Sequence, residues 1–267
     1  MMFEKLCSDV CNIARAAGDF IRTERKVFSL SSVEYKGPND LVTYIDKKTE
    51  ELLVAELSKL LPASGFITEE DSSRTKAAEY NWIIDPIDGT TNFVHGVPCY
   101  CISIALMQKE KVVLGVVYEI NLDECFYAYK EGGAYLNGKR IAVSETAKLN
   151  QALLATGFPY TNYNHMKAYM EVFDYCMRNT HGLRRLGSAA VDLAYVACGR
   201  FEGFYEYGLN AWDVAAGAFI VEEAGGAVSD FSGGESFIFG REIIATNKNI
   251  FDEFVKVVKE KFEESGK

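Results

Sequence analysis

The sequence predicts an α+β fold with mixed sheets, and three observations predict it. Apolar residues recur at spacings of three and four near the start of the chain. Alternating, β-rich runs joined by short turns fill residues 100–143, and beyond about residue 150 strand-like and helical segments alternate. Period 3.6 marks amphipathic helices and period 2 marks half-buried strands, so the three patterns in this order require both kinds of layer.

The first helix rests on Phe3, Leu6, Val10, Ile13, Ala17 and Phe20. Lys36-Gly37-Pro38-Asn39-Asp40 reads as a turn-rich loop. A second helix starts near Thr43, where Thr43 and Asp46 have capping-box spacing, carries Leu53, Leu57, Leu60 and Leu61, and stops before Pro62. Gly65–Thr68 is a short strand running into Glu69-Glu70-Asp71, and Trp82–Ile84 is the next strand. Tyr100–Met107, Val112–Ile120 and Glu124–Lys130 read as strands of an antiparallel meander, with Asn137-Gly138 as a hairpin turn between two more. Ala152–Thr156 is a strand and His165–Asn179 a helix; Leu183–Leu186 is strand-like. Ser188 caps a helix running to Gly199, Phe201–Tyr207 is a strand, and Trp212–Ala224 is a helix stopped by Gly225-Gly226. Ala227–Asp230 and Glu242–Thr246 are strands, and Ile250–Phe262 is the last helix. The change of pattern near residue 150 suggests subdomains of approximately 1–150 and 151–267 that share a cleft within one 1–267 domain.

The 267 residues are 48% hydrophobic and 25% charged, which suits a globular chain with a substantial core. A net charge of -10 argues against a broad nucleic-acid or anionic-membrane surface. It leaves an anionic substrate open, since bound cations can reverse a local potential. The seven cysteines are odd in number and form no Cys-x-x-Cys pair, which suggests buried free thiols in a reducing compartment. The histidines, His95, His165 and His181, are too scattered to complete a soft-metal site. The start of the chain has no basic-then-apolar leader, and no apolar run approaches the roughly 20 residues that span a bilayer. A soluble cytoplasmic protein is expected.

The segment with the most chemistry is Trp82-Ile83-Ile84-Asp85-Pro86-Ile87-Asp88-Gly89-Thr90-Thr91-Asn92-Phe93. An apolar strand holds two carboxylates at its end, and a glycine and hydroxyls follow. Oxygen ligands suit hard cations such as Mg²⁺. Gly89 admits close approach of an anion, and amides opening a helical turn would face it. Taken singly, Asp85 and Asp88 are also ordinary turn residues.

Asp85 to Thr90 resembles the central metal-binding signature of the inositol monophosphatase family, and Thr91-Asn92-Phe93 resembles that branch rather than the adenosine-bisphosphate phosphatases. Phe66-Ile67-x-Glu69-Glu70, the Asp40–Asp46 segment, Gly187-Ser188-Ala189-Ala190, Trp212–Gly217 and Glu222–Gly226 match further family segments, so the resemblance extends from Asp40 to Asn247. The stretch Leu183–Gly226 looks most like bacterial members.

The resemblance implies a layered α/β/α/β/α sandwich of the kind shared with fructose-1,6-bisphosphatase. It implies Mg²⁺-dependent hydrolysis of myo-inositol monophosphate, with two to three ions. Glu69, Asp85 and the Ile87 carbonyl would hold one ion, and Asp85, Asp88 and Asp213 a second. A third, weaker ion would sit near Glu69. Glu69 and Thr90 would activate the attacking water, supported by Asp46, with Glu70 behind Glu69. Gly89 and Thr90 would receive phosphate. Asp88, Gly187, Ser188, Ala189, Glu206 and Asp213 would contact the substrate. Lys36 matches a loop lysine that helps recruit a metal. Lithium inhibition and a homodimer belong to the same expectation.

Each acid also has a plainer reading. Glu69–Asp71 is a solvated acidic loop, Asp46 a helix cap, Asp213 a complement to a helix dipole, and Glu206 the outward residue of an edge strand. Arg184 and Arg185 are solvated, or pair with acids at the site or a subunit contact. Two rival functions remain. One is a related phosphatase acting on fructose 1,6-bisphosphate, an adenosine bisphosphate or histidinol phosphate. The other is a non-catalytic, metal-dependent regulatory or binding protein.

Overall fold

In the computed structural model, which describes residues 2–29, 33–37, 40–70, 75–159 and 162–265, two large sheets and six helices build five layers. A first sheet of seven strands has the order β3-β4-β5-β6-β7-β8-β9. Its strands are β3 (Gly65–Thr68), β4 (Tyr80–Asp88), β5 (Cys101–Gln108), β6 (Lys111–Glu119), β7 (Glu124–Tyr129), β8 (Gly133–Leu136) and β9 (Lys139–Ile141). From β4 onward it is the expected antiparallel meander, with β3 added parallel to β4 at one edge. A second sheet has the order β11-β10-β12-β14-β13. It contains β10 (Leu153–Thr156), β11 (Gly182–Arg184), β12 (Gly203–Tyr207), β13 (Ala227–Ser229) and β14 (Glu242–Thr246).

The outer helices α1 (Met2–Arg25) and α2 (Tyr44–Leu60) cover one face of the first sheet, with Val10, Ile21, Leu53 and Leu57 buried against Trp82, Ile84 and Tyr118. On the other face lie α5 (Ala189–Ala197) and α6 (Ala211–Glu223), which also cover the second sheet. The far side of that sheet is closed by α4 (Met166–Asn179) and α7 (Phe251–Ser265) through Tyr169, Val172, Phe254 and Val258. The order is therefore α/β/α/β/α, the layering that the resemblance implies.

The middle layer is thin because its helices are built from small residues. A Cβ on Gly217 of α6 would lie 2.6 Å from the Cβ of Leu193 on α5, and one on Gly115 of β6 would lie 2.7 Å from the Ala216 carbonyl. Both ends of α6 are tied to the first sheet. Ser103 Oγ donates to the Trp212 carbonyl at 2.9 Å, and the Glu223 carboxylate accepts from the amides of Glu131 and Gly133.

Two elements differ from expectation. The loop around Lys36 is a hairpin of β1 (Val33–Gly37) and β2 (Asp40–Thr43); Pro38, Asn39, Asp71 and the Lys36 side chain lie outside the described residues. Strand β4 runs well beyond Ile84, through the acidic motif to Asp88. All seven cysteines are free, five of them buried and Cys99 and Cys198 partly so.

Candidate active site

A strand alternates faces, so residues three apart on β4 would point to opposite sides. The β4–β5 register breaks this rule: Asp85 pairs with Ser103 and Asp88 with Cys101, which leaves one extra residue on β4. Such a bulge shifts the alternation by one. Ile83 faces α6, Ile84 faces α1 and α2, and past the bulge Ile87 again joins the α1–α2 side. Asp85 and Asp88 therefore share the face toward the middle layer. Pro86 sits within the bulge, where the ladder hydrogen bond that proline lacks is not needed.

The chain adds a third acid from 125 positions beyond Asp88. Carboxylate oxygens of Asp85, Asp88 and Asp213 lie within 4.8 Å of one another, the one such grouping of three or more ligand-type residues among the described residues. Each acid is held by one oxygen. Asp85 Oδ1 accepts from the Ile87 amide at 2.9 Å. Asp88 Oδ2 accepts from Ser188 Oγ and the Ala190 amide, both at 2.7 Å. Asp213, in the first turn of α6, accepts the Asn210 amide on Oδ2 at 2.6 Å. The helix-capping explanation of Asp213 is thus correct for one oxygen and leaves the other for the cluster.

Burial pushes the Asp85 carboxyl well above the usual range, reinforced by Glu69, Asp88 and Asp213, and Glu69 also hydrogen-bonds it. Burial raises Asp88 to about 6, against the hydrogen bonds from Ala190 and Ser188. It raises Asp213 to about 7, with Asp88 adding to the shift. Hard oxygen donors held together against their own repulsion fit a divalent cation such as Mg²⁺.

Asp46 is fully buried and uses both oxygens. Oδ2 accepts from the Thr43 amide at 2.8 Å and from its hydroxyl, closing the capping box of α2, while Thr90 Oγ1 lies 3.1 Å from Oδ1 and 2.9 Å from the Ile87 carbonyl. Capping is therefore half of what Asp46 does. One turn later, buried Glu50 accepts the Glu70 amide at 2.7 Å and fixes the end of β3 where Glu69 stands. Sequence reading passed over Glu50, although it lies four residues after Asp46 and so on the same face of α2.

These groups open on one cavity of about 330 Å³. Glu69, Asp85, Ile87, Asp88, Gly89 and Thr90 line it from the first sheet. Gly187, Ser188, Ala189, Glu206 and Asp213 line it from the middle layer and the second sheet. Asp46 stands behind Thr90 rather than in the wall. Gly89 adopts φ +98° and opens the six-residue helix α3 (Thr90–His95). Asn92 of α3 donates from Nδ2 to the carbonyls of Cys99 and Leu186, which holds the Gly187 loop against the motif.

Glu206 is not on an edge. It lies on β12 between β10 and β14, is 5% exposed, and shares the parity of Phe204, which faces the middle layer. Its carboxylate packs on Gly157, where a Cβ would fall 2.0 Å from Oε2. Burial raises its pKa strongly, Arg185 opposes this, and Asp213 and Asp88 add to it. Of the two arginines, Arg185 reaches the cavity and stands 5.4 Å over the Phe158 ring, while Arg184 is exposed.

The chain matches the inositol monophosphatase family over residues 4–263. It belongs to that family. Inositol-1-monophosphatase of Mesorhizobium japonicum is 42% identical over 85% of this chain and 86% of its own length. Nus factor SuhB of Pseudomonas aeruginosa is 42% identical over 89% and 90%. The crystal structure of extragenic suppressor protein suhB from Bartonella henselae superposes with a TM-score of 0.90 at 38% identity, over 96% and 98% of the two chains. Membership in the inositol monophosphatase family supports a phosphatase, with a small phosphate ester as substrate.

Proposed function

We propose that this protein hydrolyses phosphate monoesters with Mg²⁺, and that myo-inositol monophosphate is its substrate. The observation that carries the reading is the acid cluster made by the β4 bulge, facing a cavity whose opposite wall holds the buried carboxylate of Glu206. The name of the Mesorhizobium relative supports the substrate.

Two to three ions would be held by the assigned residues: Glu69, Asp85 and the Ile87 carbonyl; Asp85, Asp88 and Asp213; and Glu69 again. When bound, Mg²⁺ supplies positive charge for the phosphoryl oxygens and the leaving oxygen. Thr90 has one hydroxyl proton. As that proton passes to Asp46 Oδ1, the Thr90 oxygen takes one from the attacking water, which Glu69 orients, so that the proton removed from water is balanced by the one that ends on Asp46. The Gly89 and Thr90 amides receive phosphate. Asp88, Ala189 and Glu206 meet the hydroxyls of the leaving polyol, with Gly187 and Ser188 presenting backbone. Attack is in line and direct, without a phosphoenzyme. The same reading carries a cytoplasmic homodimer that lithium inhibits.

Phosphate release is to be measured from myo-inositol 1-phosphate, fructose 1,6-bisphosphate, adenosine 3′,5′-bisphosphate and histidinol phosphate, with Mg²⁺ and with EDTA. Inositol phosphate should lead and EDTA should stop the reaction. A different leading substrate would move the protein to another branch, and no release from any of them would leave a binding or regulatory role.

A further inference from the structure

Beside Glu206, the cavity contains a carboxylate that the reaction above does not use. Asp192 lies in the first half of α5, its side chain is buried at 1% residue exposure, and it lines the cavity wall. Its Oδ1 has no hydrogen-bond partner among the described residues. Buried carboxylate oxygens are almost always bonded, because leaving one bare costs the solvation it had in water. The packing of α5 does not account for this acid, since its neighbours Val191 and Leu193 fill the apolar layer on their own.

We propose that Asp192 is a specificity-determining residue. With Glu206 it forms a two-carboxylate wall that receives hydroxyl groups of a neutral polyol carried by the phosphate. The proposal rests on the hydrolytic reading above and narrows its substrate.

The charges around the wall decide what it accepts. Burial pushes the Asp192 carboxyl well above the usual range, Glu206 and Asp88 add to this as like charges, and Arg185 opposes it. A second phosphate at this end of the cavity would bring negative charge to buried acids that already resist ionisation. A cationic leaving group would compete with Arg185, which already faces both acids. Neutral hydroxyls bond to the oxygens of either acid, protonated or ionised, without bringing charge to the wall. The Gly89–Thr90 segment and this wall line the same cavity from different elements, so an ester reaching both must carry its phosphate at one end and hydroxyls at the other. That describes a polyol monophosphate and disfavours bisphosphates and esters without hydroxyls.

The position of Glu206 makes its half of the wall rigid. Its carboxylate fills the space over Gly157, so it cannot withdraw in that direction. Asp192 is fixed on a helix whose Ser188 cap is bonded to Asp88. A substrate hydroxyl therefore meets Glu206 at a position set before it arrives, while the unpartnered Oδ1 of Asp192 is left to turn toward it.

Asp192→Ala and Asp192→Asn are to be compared with the wild type on myo-inositol 1-phosphate and on p-nitrophenyl phosphate, whose leaving group has no free hydroxyl. For Asp192→Ala, kcat/KM on the inositol ester should fall roughly tenfold to a hundredfold, mostly through KM, and stay within about twofold on the nitrophenyl ester. Asp192→Asn keeps an acceptor oxygen and should recover most of the loss. Equal losses on both esters would make Asp192 a structural residue, and no loss on either would make it irrelevant to the substrate. A second arm is independent of turnover: calorimetric binding of a non-hydrolysable phosphonate of myo-inositol against inorganic phosphate. Wild type should prefer the phosphonate and Asp192→Ala should lose that preference; wild type binding both equally overturns the proposal. If wild type releases phosphate from neither ester yet prefers the phosphonate, the hydrolytic reading falls and the wall stands.

Discussion

Ser188 donates its hydroxyl to Asp88 at 2.7 Å across 100 positions of sequence, while accepting the Val191 amide as the cap of α5. One side chain thus sets the start of a middle-layer helix and aims an acid of the first sheet. Ser188→Ala should lose about 1 kcal/mol as a cap and leave Asp88 Oδ2 with the Ala190 amide alone. Mg²⁺ affinity should fall by more than the fold is weakened. Calorimetric titration beside a thermal melt checks this; an unchanged affinity with a lower melting temperature would reduce Ser188 to a cap.

Asp85 is the acid most enclosed by other acids. Asp85→Asn should abolish phosphate release and weaken Mg²⁺ binding, yet raise the melting temperature in EDTA, because a buried acid that folding forces to keep its proton is replaced by a neutral amide. Normal turnover by this variant would refute its central place, and a lower melting temperature in EDTA would refute that cost of burial.

The pH dependence has a definite sign. With Asp88 near 6 and Asp213 near 7 in the fold, both above the ordinary carboxyl value, the folded protein holds protons there that the unfolded chain has lost. Between about pH 4 and pH 7 these groups therefore make the metal-free protein less stable as pH rises. A cation must displace the same protons. The rise in melting temperature caused by Mg²⁺ should grow from pH 6 to pH 8, as melts with Mg²⁺ and with EDTA would show; a constant rise would contradict it.

Glu206→Ala should change substrate preference and leave Mg²⁺ affinity nearly intact, because in the proposed reaction the residue meets the leaving group. Gly157→Ala should imitate it from behind, since the new methyl group claims the place of the carboxylate. Kinetics of both variants on inositol and nitrophenyl esters provide the check. A large loss of Mg²⁺ affinity in Glu206→Ala would reassign that residue to the metal.

Gly115→Ala puts a methyl group 2.7 Å from the Ala216 carbonyl. Overpacking of this kind costs about 1–3 kcal/mol. Because α6 carries Asp213, the displacement should reach the acid cluster and lower Mg²⁺ affinity as well as stability. Unchanged Mg²⁺ affinity in a destabilised variant would show that α6 yields without moving its first turn.

Local chemistry was the legible part of this site. The carboxylates of β4 stand out at the end of a strand signal, whereas Glu69 at the end of β3 and Asp213 at the start of α6 enter the site only through the family resemblance, which also implies the layering. The bulge was harder to see, because the extra residue exists only relative to the pairing of Asp85 with Ser103 and Asp88 with Cys101. The plainer reading of Glu206 as an edge residue fails because five residues carry no sign of which strands flank them. Glu50, Asn92 and Asp192 were passed over for a related reason. Their partners, or the lack of them, are set by contacts that local spacing does not encode, although the position of Glu50 one turn after Asp46 was a usable hint.

The cavity has two walls of separate origin. The acids of β3 and β4 belong to a sheet closed by local hairpins, whereas Glu206 and Gly157 belong to another sheet and Asp192 to a helix between them. On the proposed function, substitutions on the second wall would change which alcohol is released and leave in place the acids of β3 and β4 that would hold the cations. A protein built this way would acquire new substrates through a few positions on β12 and α5, with the acids of the first sheet inherited unaltered.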